Sequence, residues 1–256
     1  MKKKLIFAAA ALAAATIASA CGGNTAGTTT AATEAATEAA AETAAAVENR
    51  DAKVAEAGTI DYADAFSKVS EDAPIYVDED NQAVYYLCEV NGKYFDQPTR
   101  HGIVYKGGSN GEKAVLRGLG DEKEFYNALA GFGWQGGENL TIQDNKAKPG
   151  EGKSIEGDKL NCTVYWDGAP KAYGFSEIIK SDEVRPFDLR FGGNLKNAQD
   201  KNTGCVLCLD SCSVGITSDA SYVTNEIEGA GVNRYGNADV LPEDGTKVVA
   251  VFTKAE

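Results

Sequence analysis

The 256-residue sequence has one histidine, His101, one methionine, two tryptophans and six prolines. A single imidazole excludes sites that need two, such as a haem held by two histidines or a histidine-rich metal nuclease. Positive charge is also scarce: 25 Lys plus Arg stand against 38 Asp plus Glu, a net charge of −13. Nucleic acid is therefore not expected as a partner, because phosphate binding needs a basic face. Electrostatic docking on anionic lipid is disfavoured for the same reason. No G-x-S-x-G, HExxH or Ser/His/Asp arrangement can be assembled, so the chain is not read as a hydrolase, nor as an enzyme by itself.

What is present begins with an address. Lys2, Lys3 and Lys4 form a positive n-region, and the apolar stretch from Leu5 to Ile17 is too short to span a bilayer. Ala18, Ser19 and Ala20 then lead into Cys21. Residues 1–20 resemble a bacterial lipoprotein signal, with Ala18 where that pattern usually has Leu. Cys21 is then the lipidated first residue, and the protein is expected on the extracytoplasmic face of the cell membrane, held by its lipid. No twin-arginine pair occurs in the n-region, so export of an unfolded chain is expected. Residues 21–58 carry the anchor and an Ala/Thr/Glu spacer without aromatics, which cannot bury a core against its ordering entropy.

Residues 59–256 are expected to form a single α+β domain, mostly antiparallel β with two short helices. Asp61 caps the first helix, with Tyr62, Ala65, Phe66 and Val69 on one face. Asp121 and Glu124 form a capping box for the second, with Gly131 as its stop. AVYYLCEV (83–90) reads as a strand ending in an Asn91-Gly92 hairpin turn. HGIVY (101–105) and KAVLR (113–117) read as a second hairpin, and KLNCTVYW with KAYGF as a third around Asp167-Gly168. FDLRF (187–191) and TKVVAVFT (246–253) complete the strands. The glycines of GFGWQG (131–136) fit a dinucleotide fingerprint only in spacing, because a helix precedes them where a strand is required. Asp78-Glu79-Asp80-Asn81 lacks the spacing and glycine of a calcium loop and reads as a solvated turn.

The informative segment is TGCVLCLDSCSVGI, in which Cys205, Cys208 and Cys212 have spacing C-x2-C-x3-C. Short spacings let one loop supply several thiolates to a metal or cluster. The pattern matches the last three cysteines of a bacterial ferredoxin run, with Ser213 where that run has proline. A fourth ligand would come from Cys88, Cys162, His101 or Asp210. Two alternatives stay open. On a helix the three positions would form a face of small apolar residues, or two of them would form a disulfide or a working dithiol. Five cysteines remain after Cys21, an odd number, so complete pairing within one chain is impossible. Arg190, Gly192, Gly193 and Asn194 (RFGGN) are candidates for an anion-binding nest or for shaping the nearby cysteine loop.

HGIVYKGG, EFYNALAGFGWQGGENL, TVYWDGAPKAYGF, DLRFGGN and TGCVLCLDSCSVGI occur in an order similar to the YdjY-domain family, over most of residues 83–252. Members are commonly described as ferredoxin-like or 4Fe-4S proteins because of the cysteine segment. The resemblance implies a 4Fe-4S cluster at Cys205, Cys208 and Cys212 and an electron-transfer role with a membrane redox partner. Export of an unfolded chain instead favours zinc, captured as the chain folds, or thiols with no cofactor at all. The other expected class is a surface binding module with a structural cysteine loop. Metal content separates the two.

Overall fold

The computed structural model describes residues 62–256, all within one compact unit. The signal (1–20), Cys21, the spacer and Asp61 lie outside the described residues. The first expected helix is a 3-10 helix, Tyr62–Ser67.

A mixed sheet dominates the fold. It contains β1 (Ile75–Asp78), β2 (Ala83–Val90), β3 (His101–Tyr105), β4 (Ala114–Gly118), β5 (Leu160–Tyr165) and β6 (Tyr173–Gly174). A small separate pair is made by β7 (Ile179–Ser181) and β11 (Arg234–Gly236). The large sheet is completed by β8 (Leu189–Phe191), β9 (Cys205–Cys208), β10 (Thr217–Asp219) and β12 (Lys247–Lys254). Its order is β6-β5-β12-β2-β4-β3-β9-β10-β8, with β1 also paired to β2. A bridge between Lys159 and Arg190 links the edge near β8 back to the start of β5, so the sheet curls round on itself. The helices are α1 (Glu122–Gly131), α2 (Leu195–Asp200) and α3 (Glu226–Ala230).

The core follows from alternation along the two longest strands. Val84, Tyr86 and Cys88 of β2, with Val248, Ala250 and Phe252 of β12, enter the main core. Tyr85 and Leu87, with Val249 and Val251, enter a second one on the opposite face. Both faces being covered, AVYYLCEV reads as a continuous apolar run. Helix α1 closes the main core: the Asp121 carboxylate accepts from Lys123 N at 2.8 Å as its N-cap. Its Phe125 ring lies 4.7 Å from Phe252 and 5.4 Å from Tyr86. Each such buried ring contributes roughly 1.5–3 kcal/mol by area alone.

Several expectations are met: the strands at 83–90, 101–105 and 247–254, the hairpin β5–β6 at Gly168, and the helix ahead of the GFGWQG glycines. The 78–81 stretch is a turn between β1 and β2, with Asp78 accepting from both nitrogens of Asn81. Other expectations are corrected. Asn91-Gly92 opens a 3-10 turn, Gly92–Phe95, because β2 takes β1, β12 and β4 as partners and none of them follows that turn. HGIVY and KAVLR are not a hairpin: β3 and β4 pair in parallel, with a 3-10 turn at Gly111–Lys113 bringing the chain back beside His101. β9 and β10 are also parallel, so the sheet is mixed. Two further short helices, α2 and α3, join the expected α1.

Candidate metal and thiol centre

Cys205 and Cys208 lie on β9, where a regular strand would point them to opposite faces, since side chains alternate with period two. The β3–β9 pairing is irregular. His101 pairs with Cys208, Ile103 with Leu207 and Val104 with Cys205, with a register shift at each step. Val206 and Leu207 consequently both enter the main core, while Cys205 and Cys208 turn together to the other side, with Cys212 and Val214. A bulge thus re-aims the two thiols onto one face. The helical alternative for this segment is excluded, since 205–208 is strand and 209–216 is turn and loop.

The same pairing brings in His101, 104 positions away in sequence. Its Nδ1 is 3.9 Å from the Cys205 sulfur. Donor atoms of His101, Cys205 and Cys208 all lie within 4.8 Å of one another. Both cysteines are fully buried, and His101 is half-buried. Asn110 Nδ2 donates to the Cys205 sulfur at 3.8 Å. Asn110 reaches it because Gly108 packs directly on Gly204: a Cβ on Gly108 would sit 2.6 Å from the Gly204 Cα.

The thiols are electrostatically unlike. A hydrogen bond from Cys208 pulls the Cys205 thiol well below the usual thiol range against the opposing effect of burial, with help from His101. Cys208 is pushed up by its contacts with Cys205 and Cys212 and by burial. Burial alone pushes Cys88 up. Cys212 therefore touches Cys208 but stands outside the three-donor group.

Asp210, in the same loop, is not one of the three grouped donors. It is fully buried, and its Oδ1 accepts from Arg100 Nη2 at 2.8 Å and Nε at 3.2 Å. Burial raises its carboxyl above the usual range, with Arg100 opposing. Cys88 and Cys162 belong to β2 and β5 in the main core and do not join the group.

The RFGGN segment shapes the cysteine loop. Asn194 is buried at a left-handed φ of 53° and donates to Cys212 O at 3.1 Å and Gly215 O at 3.2 Å. Gly193 N–H is taken by Ile216 O at 3.1 Å, so it is not offered to an anion. Gly192 packs on Ile155, and Arg190 is held by Asp188 and Gly157 O. Two clamps carried no signal in the sequence: Asn197 donates to Ser213 O at 3.0 Å, and Asn145 accepts from Ser213 N at 3.2 Å. A second buried pair, Arg234 to Asp219 at 3.0 Å, also escaped sequence reading, and Arg234 lies over the Tyr222 ring. Gly215 is needed where it is: a Cβ there would meet Ser218 Oγ at 2.6 Å and the Cys208 sulfur at 3.0 Å.

The donor set fits one ion better than a cubane. With Zn–S near 2.3 Å and Zn–N near 2.0–2.1 Å, neighbouring donors of a tetrahedral ion lie about 3.5–3.8 Å apart. The 3.9 Å separation of Nδ1 and sulfur is close to that. A 4Fe-4S cluster takes four thiolates, one on each iron, spread around a core of eight atoms. Here one donor of the tight group is an imidazole and two thiols touch, which does not fit.

Among the described residues, no helix is long and apolar enough to cross a membrane. No solved structure matches the chain. The chain is 43% identical over 210 residues to the uncharacterized protein YdjY of Escherichia coli (strain K12), covering 82% of this chain and 87% of that one. The YdjY domain model matches residues 75–253, from the start of β1 to one residue short of the end of β12, and so takes in the whole cysteine centre. The chain belongs to the YdjY-domain family.

Proposed function

We propose that this is a lipid-anchored extracytoplasmic protein that binds one thiophilic metal ion of the zinc class through Cys205, Cys208 and His101. Cys212, in contact with Cys208, is the neighbouring thiol able to complete the set. The carrying observation is the convergence of three donor atoms within 4.8 Å on a buried face that a bulge creates. Thiolates and a neutral imidazole suit zinc, which can be taken up outside the cytoplasm as the exported chain folds. The anchor at Cys21 and the outer-face location rest on the resemblance of residues 1–21 to a lipoprotein signal. The iron-sulfur electron-transfer reading rests on family resemblance, and the mixed donor set supports it less well.

Metal and acid-labile sulfide analysis of the full-length protein, extracted anaerobically from membranes, tests this. The expected result is about one zinc per chain and no labile sulfide, with zinc lost in Cys205→Ser and Cys208→Ser and retained in Cys88→Ala. Iron with stoichiometric sulfide would restore the cluster reading. A metal-free protein would leave a binding module with a structural cysteine loop.

A further inference from the structure

His101 has a second side. It lines a surface pocket of about 520 Å³, a size suited to a small organic ligand. Tyr94, Pro98, Ile227 and Val232 make its apolar walls, and Arg100, His101, Lys113 and Glu228 supply its ionisable groups. In a chain of net charge −13, the pocket carries two fixed cations: Arg100, already paired with the buried Asp210 behind it, and Lys113, which has no acidic partner among the described residues.

Those cations are available to different degrees. Arg100 is anchored from behind by Asp210 through Nε and Nη2, which fixes the guanidinium plane. Its Nη1 has only a 3.7 Å approach to Glu228, whose side chain is 74% exposed. Lys113 donates to Asn110 Oδ1 at 2.9 Å and makes no ion pair among the described residues. An anion placed between them gains a preorganised guanidinium edge and an uncompensated ammonium.

We infer that this pocket binds a small organic carboxylate with an apolar body, held by Arg100 and Lys113 beside His101. The carboxylate takes the cationic end, and an aromatic or branched body packs on Tyr94, Ile227 and Val232. Because the imidazole that lines this pocket also approaches the Cys205 sulfur, ligand binding is reported at the buried thiols. The inference does not depend on whether a metal is bound there.

The single histidine makes the test direct. Untagged full-length protein in a neutral detergent, labelled with 13C-histidine, gives one imidazole signal set, that of His101. Benzoate at neutral pH is expected to shift it saturably, while neutral benzamide does not. Lys113→Met is expected to weaken benzoate about fivefold, and Glu228→Gln to tighten it by a smaller factor. Absence of a saturable shift overturns the inference, as does equal binding of benzamide or unchanged benzoate affinity in both variants. Zinc measured on the same samples keeps the two questions apart. Benzoate binding without zinc leaves this inference standing and removes the metal reading, and zinc without benzoate binding does the reverse.

Discussion

The main core and the cysteine loop are equally buried and built on opposite terms. Around Phe125 and Phe252 the interior is aromatic and aliphatic, and Cys88 sits there as one more small apolar residue. From Asp210 to Asp219 the chain is just as inaccessible, yet Asp210, Ser211, Ser213, Thr217, Ser218 and Asp219 are all polar. Among the described residues, four of the five buried polar side-chain atoms without a partner belong to Asp210, Ser213, Ser218 and Arg234. Arg234 joins this region by donating to Leu209 O and Asp219. Burying polar groups at such density costs stability that a fold seeking only stability would not give up. The same thiol is thus a packing unit in one region and one of three converging donor groups in the other, according to its neighbours.

The largest effect is expected in the main core. Phe125→Ala removes a ring packed between Tyr86 and Phe252 and is expected to cost about 3–5 kcal/mol, enough to unfold a marginal domain. Urea denaturation checks it, and a loss below 1 kcal/mol would mean that α1 does not close the core. Next comes the loop clamp. Asn194→Ala leaves Gly215 O without its donor and Cys212 O with only the Gly215 N–H, and is expected to cost about 1–3 kcal/mol. Amide exchange should localise that loss to residues 209–216 and leave β2 and β12 protected, whereas uniform loss of protection would show that the loop is not a separate unit.

Thiol chemistry sharpens the contrast between cysteines. With any metal removed by a chelator, Cys205 is expected to react with iodoacetamide faster than Cys88 at neutral pH, because its thiol is lowered where burial alone raises the other. Mass spectrometry of the alkylated peptides reads the order, and equal rates would remove the electrostatic distinction between the two regions.

The smallest effect is at the surface. Hydrogen bonds from Lys254 and from Gln135 N hold the Asp158 carboxyl below its usual range. A carboxyl lowered on folding contributes stability that is present above its unfolded pKa, about 3.9, and is lost as pH falls through the folded value. Asp158→Asn should therefore cost less than about 1 kcal/mol at pH 7 and nothing at strongly acid pH. A difference that persisted in acid would point to packing instead of charge.

The two regions were unequally legible in the sequence. AVYYLCEV, KVVAVFT and the Asp121-capped helix announced themselves by local periodicity and capping, and each lies where expected. HGIVY and KAVLR were recognisable as strands, but their parallel pairing was not, because the Gly-rich link between them looks like a hairpin loop. The cysteine spacing pointed to the stretch that carries two of the three grouped donors, and His101 and Asn194 were among its candidate associates. The clamps Asn145 and Asn197 and the buried pair Arg234–Asp219 left no trace, since each acts through a contact between distant stretches of chain.

The longer strands, the Asp121-capped helix and the clustering of three cysteines in one short stretch were legible in the sequence, because periodicity, capping and spacing are local properties of a chain. It takes the folded chain to set Cys205 and Cys208 on one face, His101 beside them, and His101 in the wall of a pocket that Arg100 and Lys113 also line. Those outcomes turn on the bulged register between β9 and β3, and register is set by the sum of long-range contacts, which no local pattern records.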